Sequence, residues 1–334
     1  MARPKRVIIP VFIPNLGCGH ECVFCDQRLI SGELKPVSAD DVRKAYSDRI
    51  SPAGAELAFY GGSFTALPTR MQIELLEAAQ QFLGLNPDNS IRVSTRPDCV
   101  DDAAVERLIS FGVSTVELGA QSMCDDVLAT AGRGHTSDDT VRASGIIKRA
   151  GLSLVLQMMT GLPGDTRDKS VYTARRLIDL NPDGVRIYPT VIIRGTRLYD
   201  MWRGGQYREH TVREAVVLCA EVCALFQNAG VPVIRLGLNP SDTLSAGDAA
   251  AGAYHPAFGE LVYSQMYYNK ADSLLEGVMP GSGAILTVAD GCVSKMAGQR
   301  RVNIRGLVEK HSLRSLKIVE SDIDPGEIMI EIMP

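Results

Sequence analysis

Short apolar runs of strand length alternate with helical patterns through the first two-thirds of the chain, and that alternation restricts the fold more than any other feature. The strand candidates are "VIIPVFIP" (7–14), "ELAFY" (56–60), "IRVST" (91–95), "TVELG" (115–119), "LSLVLQMM" (152–159), "GVRIYP" (184–189) and "VPVIRLG" (231–237). Helical patterns lie between them, among them "TRMQIELLEAAQQFL" (69–83) and "REAVVLCAEVCALFQNAG" (213–230), the second closing on a glycine stop signal. Repeated β–α units require parallel strands joined by helical crossovers, so the sheet is either doubly wound or curled into a barrel. "GGSF", "RPD", "AQS", "TGLPGD" and "PT" follow successive strands. Polar and glycine-rich residues therefore gather at the strands' carboxyl ends, the edge where parallel α/β folds bind ligands.

The rhythm stops near Asn239. "NPSDTLSAGDAAAGAYHPAFGE" (239–260) has the composition of a linker or lid, a helical stretch follows (261–277), and a compact unit runs from about 283 to the end. The expected organisation is a barrel-like domain over 1–240, a lid and helix over 241–282, and a C-terminal unit over 283–334. A length of 334 residues accommodates one large domain with a small appendage. A formal net charge of −4 excludes wholesale polyanion binding and leaves only a local site. No apolar run approaches the length of a membrane span, and the basic start "MARPKRVIIPVFIP" is broken by Pro10 and Pro14 with no cleavage site after it. The expectation is a cytoplasmic protein with no membrane contact, whose eight cysteines are thiols or metal ligands rather than disulfides.

"GCGHECVFCDQ" crowds Cys18, Cys22 and Cys25 into eight residues just after the first strand. Cysteine thiolates hold iron–sulfur clusters, and three of them on a four-iron cubane leave one iron open to a substrate. A structural zinc site, with His20 as a fourth ligand, is the competing reading. The spacing Cys-x3-Cys-x2-Cys, with Phe24 before the last cysteine and a strand before the first, resembles the radical S-adenosylmethionine superfamily. The resemblance implies a [4Fe–4S] cluster on the three cysteines, its open iron chelating S-adenosylmethionine. One electron then splits the sulfonium, and the resulting 5′-deoxyadenosyl radical abstracts a hydrogen atom. It also implies that Phe24 lies near the adenine, that Gly61, Gly62 and Ser63 meet the methionyl amine, and that a small electron carrier such as flavodoxin or ferredoxin serves as partner. For Gly61 and Gly62 there is an independent argument, since glycine lets the backbone approach a ligand closely.

"STRPDCV" (94–100), "VELGAQSMCDDVLATAGRGHT" (116–136), "QMMTGLPGDT" (157–166) and "GVRIYPTVIIRGTRLYDMW" (184–202) resemble the radical domain of the Elongator catalytic subunit, which modifies wobble uridines of tRNA. From that likeness the expected fold is a partial (β/α)6 TIM-like barrel opening at the strand carboxyl ends. Gln121 and Arg133 are expected to contact S-adenosylmethionine, Gln157 its ribose, and Tyr188 of "IYPT" the substrate. Ser94 stands where Elongator proteins carry a glutamate, so contacts at that strand end differ. The first two cysteines are spaced as in the coproporphyrinogen dehydrogenase branch, which keeps a small-molecule substrate open as an alternative. No glycine-rich pyrophosphate loop of an acetyltransferase follows residue 240, so acetyl-CoA is not expected as co-substrate. His255, in "AYHPAF", is a further catalytic candidate.

The closing unit reads strand, short helix, the loop "GQRR" (298–301), helix, strand, strand. It resembles a minimal KH domain, whose GxxG loop clamps a single-stranded nucleic-acid backbone. Gly298 falls where that motif wants a glycine, while Arg301 replaces the second one and adds a cation. With Arg300 and Arg305 it makes a local basic patch, so single-stranded RNA, a tRNA in particular, is the expected partner. A zinc-bearing RNA-binding protein without catalysis is the third reading.

Overall fold

A computed structural model describes residues 7–13, 22–25, 36–47, 49, 54–238 and 247–333. The strands are β1 (Val7–Ile13), β2 (Ala55–Gly61), β3 (Ser90–Thr95), β4 (Val113–Gln121), β5 (Ser153–Thr160), β6 (Gly184–Pro189), β7 (Val191–Ile193), β8 (Val233–Leu236), β9 (Ala249–Gly252), β10 (Gly283–Ala289), β11 (Ser315–Ser321) and β12 (Ile328–Met333). Seven of them form one parallel sheet in the order β1-β2-β3-β4-β5-β6-β8, with helices between successive strands. The expected six-unit barrel is thus present, and β8 extends it by one strand.

Alternation along the strands explains both faces. Leu57, Phe59, Val93, Leu118, Leu156 and Ile187 point outward under the helices and are fully buried. Their neighbours in sequence, Glu56, Arg92, Glu117, Gln157, Arg186 and Tyr188, point the other way. Arg186 of β6 reaches Tyr60 of β2 across the concave face, although three strands lie between the two in sheet order. Only a curled sheet allows that contact. Helix starts are set by local chemistry: Thr136 with Asp139, and Thr211 with Glu214, form capping boxes at the starts of Ser137–Arg149 and Val212–Asn228.

The stretch expected as an irregular lid is more ordered where it is described. β9 pairs antiparallel with β7, and the helix Phe258–Leu274 follows. "AAAG" has little strand propensity, so the pairing comes from β7 and not from the segment. Gly252 permits it: at φ 89° an added Cβ would sit 2.9 Å from the Thr190 carbonyl oxygen. Residues 239–246 lie outside the described residues.

The long helix serves two apolar cores. Phe258, Val262 and Met266 belong to the barrel's core, and Tyr267 and Ala271 to that of the C-terminal unit. In that unit β10 is central, parallel to β11 and antiparallel to β12, and the element order matches the sequence reading. Among the described residues no helix is long and apolar enough to cross a membrane.

Candidate active site

Residues 22–25 form a turn in which the Cys25 N–H donates to the Cys22 carbonyl at 3.1 Å. Val23 fastens it to the barrel mouth. Its N–H donates to the Ala131 carbonyl (3.0 Å), its own carbonyl accepts from Leu198 N (2.7 Å), and its side chain packs with Val127, Ala131, Leu162, Ile192 and Leu198. Phe24 lies against the same apolar cluster. Cys22 and Cys25 are half-buried and in no disulfide. Cys18 lies outside the described residues.

The end of β4 faces this turn. Gln121 is held at φ 64°, a conformation unfavourable for a residue with a Cβ, and its buried Oε1 has no hydrogen-bond partner among the described residues. Arg133, also buried, donates from Nη2 to the Gly119 carbonyl (2.6 Å) and from Nη1 to Cys22 Sγ (3.3 Å), while its Nε is unpartnered. Gly119 makes room for both, since a Cβ there would lie 3.1 Å from Gln121 Nε2 and 3.2 Å from Arg133 Nη2. His135 was missed in the sequence. Burial, then the Arg133 charge, pull its pKa down to about 4, so it is neutral, with Nε2 3.2 Å from the Ala120 carbonyl oxygen and Nδ1 orphaned.

At the end of β2, Gly61 takes φ 100°, and Gly62 N–H donates to the Ile13 carbonyl at 2.7 Å. The Ser63 hydroxyl is engaged elsewhere, 2.8 Å from Thr95 Oγ1 and accepting from Arg96 N at 3.1 Å, which leaves its backbone for a ligand. Ser94 is partly exposed on the concave face, and Gln157 Nε2 donates to Glu117 Oε1. A buried orphan acceptor beside a buried orphan donor needs a polar ligand to satisfy it. A guanidinium against a cysteine sulfur suits a thiolate. This donor set fits an iron–sulfur cluster with an amino-acid-bearing ligand beside it.

Below the mouth lies a charged lattice that the sequence reading also missed. Glu117, fully buried, accepts from Arg92 Nη1 (3.1 Å) and forms an ion pair with Arg186, whose Nε lies 3.0 Å away without hydrogen-bond geometry, and Arg92 Nη2 reaches Glu56 (2.9 Å). Arg186 donates onward to the phenol oxygens of Tyr60 (2.6 Å) and Tyr188 (3.3 Å). The signal was available as one charge at an inward position in each of "ELAFY", "IRVST", "TVELG" and "GVRIYP". Tyr188 thus sits where expected, at the end of β6, with burial raising its pKa. The His255 Nδ1 accepts from Ala257 N (3.1 Å) at the start of the long helix.

In the C-terminal unit, Gly298 has φ 72°, and a Cβ there would fall 2.9 Å from Asn303 Cγ. Asn303, buried, donates to the Ser264 carbonyl (2.9 Å) and the Met296 carbonyl (3.1 Å), tying the loop to the long helix. Arg300 and Arg301 are exposed at φ 50° and 60°, and Arg305 is exposed one turn on. Two successive non-glycine residues in the left-handed region are sterically costly.

Two family models match the chain: the Radical SAM superfamily over residues 12–177, and the Radical_SAM C-terminal domain over 182–268. The tRNA uridine(34) acetyltransferase of Methanocaldococcus jannaschii is 30% identical over 177 residues, which is 52% of this chain and 32% of that enzyme. Elongator complex protein 3 of Saccharomyces cerevisiae is 30% identical over 190 residues, 51% of this chain and 34% of that protein. The chain therefore spans about a third of the length of these curated relatives. The solved structure of archaeal Methanocaldococcus infernus Elp3, lacking N-terminal residues 1–46, shares the fold with a TM-score of 0.63 at 22% identity, covering 79% of this chain and 63% of that one.

Proposed function

We propose, from the premise that this chain belongs to the radical S-adenosylmethionine superfamily and is one of its enzymes, that it acts on RNA, and on a tRNA in the way its Elongator-type relatives do. The superfamily's cofactors are a [4Fe–4S] cluster and S-adenosylmethionine. The observation that carries their placement is the meeting of Cys22, Arg133 and Gln121 at the end of β4, with unsatisfied buried polar atoms on the last two.

In this reading Cys18, Cys22 and Cys25 ligate the cluster. The cluster supplies the electron that cleaves the sulfonium and so starts hydrogen-atom abstraction. Arg133, with its fork of donors, and Gln121 hold the polar groups of the methionyl portion, and Gly61 and Gly62 let the backbone close on the amine. Phe24 gives the adenine an apolar wall, while Ser94 and Gln157 face the ribose. Tyr188 meets the substrate. A one-electron donor of the flavodoxin or ferredoxin kind supplies reducing equivalents. His255, its Nδ1 held by the Ala257 N–H, has its Nε2 as the catalytic candidate.

Two things support RNA as the substrate class. Relatives named for tRNA uridine modification align with 40–52% of the chain. The tail exposes Arg300, Arg301 and Arg305 on and beside a strained loop, and among the described residues none of the three is in an ion pair. That arrangement supports a KH-like grip by Gly298 and these arginines. The test is anaerobic reconstitution with S-adenosylmethionine, scored for 5′-deoxyadenosine with and without a tRNA pool. RNA should stimulate release, and reversing the charge at Arg300 and Arg301 should abolish the stimulation. Release indifferent to RNA, with no tRNA bound at low salt, refutes the RNA reading.

A further inference from the structure

The concave face carries one feature that cofactor binding does not use. Arg186 bonds two phenols from opposite sides of the barrel, Tyr60 at 2.6 Å and Tyr188 at 3.3 Å. A guanidinium is a donor only, so both phenol oxygens must accept from it and both O–H hydrogens must point elsewhere. Among the described residues neither hydrogen has an acceptor. Tyr60 immediately precedes Gly61, and Tyr188 is one residue from the end of β6, so both lie at the open edge beside the cofactor site. Burial, then Glu117, push the Tyr60 pKa up to about 12, and burial raises that of Tyr188, so both remain protonated. The Arg186 charge is met by Glu117 at 3.0 Å and Arg235 adds a further positive field at Tyr188, so the phenols are neutral donors in need of an acceptor. Phe12, 37% exposed and with its ring centroid 6.4 Å from that of Tyr60, offers a flat apolar surface beside them.

We infer that Tyr60 and Tyr188, oriented by Arg186, form a two-donor clamp for one carbonyl oxygen of a planar substrate base. A carbonyl oxygen has two lone pairs and accepts both O–H groups. The inference rests on the RNA reading above, in which that oxygen is O4 of the target uridine. Cytidine presents an amino donor at the same position and would face two donors with none of its own satisfied. A site built to hydrogen-bond one group discriminates strongly against an analogue that leaves its buried donors unpaired. The phenols are therefore specificity-determining contacts, and Arg186 is a positioning residue that acts through them.

The test uses the full chain, reconstituted with cluster and S-adenosylmethionine, and three anticodon stem–loops differing only at the wobble base: uridine, cytidine, and pyrimidin-2-one riboside, which lacks any 4-substituent. Dissociation constants are measured for the wild type, Tyr60→Phe, Tyr188→Phe and the double variant. The wild type should prefer uridine to both other loops. Each phenylalanine should narrow the uridine-to-cytidine ratio by about tenfold, the scale of one lost hydrogen bond in a desolvated site, with cytidine affinity little changed. Cluster absorbance and S-adenosylmethionine affinity, equal in all variants, verify folding. If Tyr60→Phe fails to load the cluster, the ratio in Tyr188→Phe decides. A wild type that binds every loop without preference, or variants that keep the wild-type ratio, overturns the clamp and leaves the RNA reading standing. A wild type that binds no loop removes the RNA reading, and the clamp's assignment to uridine with it.

Discussion

Replacing Glu117 by glutamine attacks the electrostatics of the barrel interior, because the side chain keeps its shape, loses its charge and turns one acceptor oxygen into an amide donor among donors. Glu56, Arg92, Glu117 and Arg186 sum to zero in the native lattice. After Glu117→Gln, Arg92 still has Glu56 at 2.9 Å, but Arg186 keeps only two phenol oxygens. Removing one partner of a buried pair costs about 3–5 kcal/mol, since the other charge is left uncompensated. The two phenol acceptors retained by Arg186 place the loss near the lower end, about 3 kcal/mol. At about 2–4 °C per kcal/mol for domains of this size, the melting temperature should fall by about 6–12 °C. The assay is thermal unfolding of anaerobic, cluster-free protein at neutral pH, followed by near-ultraviolet circular dichroism. Adding Arg186→Met to Glu117→Gln removes the stranded cation and should recover part of the loss. A single variant melting within about 2 °C of wild type, or a double variant no more stable than the single, would show that no uncompensated charge is created and would refute the reasoning.

Protonation of His135 should destabilise the fold on the acid side. Its folded pKa of about 4 lies below the ordinary 6.5, so the unfolded chain binds the extra proton first, and stability present above pH 6.5 is lost as pH falls towards 4. The loss is at most about 3 kcal/mol. His135→Gln should flatten that part of the urea-midpoint profile, and an unchanged slope assigns the acid sensitivity elsewhere. Gln121→Gly removes a left-handed side-chain conformation, so thermal stability should hold or rise by about 1 kcal/mol while S-adenosylmethionine affinity falls. Calorimetry showing undiminished affinity would remove Gln121 from the cofactor site. Gly298→Ala forces a Cβ against Asn303 and should cost the C-terminal unit about 1–2 kcal/mol. Hydrogen exchange should speed up over residues 298–310 and not in the barrel strands; uniform acceleration would contradict a locally anchored loop.

Much of this protein is written in short-range pattern. Strand and helix periods repeat every two or three to four residues, so the parallel sheet, the helix Thr69–Leu83 and the order of elements in the tail were all legible locally. The cysteine turn was legible for the same reason, as its spacing is a property of eight consecutive residues. Contacts between distant strands were not. Arg133 meets Cys22 across 111 residues of sequence, and Arg186 meets Tyr60 across 126. An arginine inside an apolar strand announces that it must find a partner, but which partner depends on how far the sheet curls. The β7–β9 ribbon was hidden too, since four small residues carry no strand signal until a neighbouring strand supplies the hydrogen bonds. Covalent neighbours and periodicity therefore chose the elements and the cysteine spacing. Sheet curvature, which sums small twists over seven strands, chose which charges and phenols face one another across the mouth.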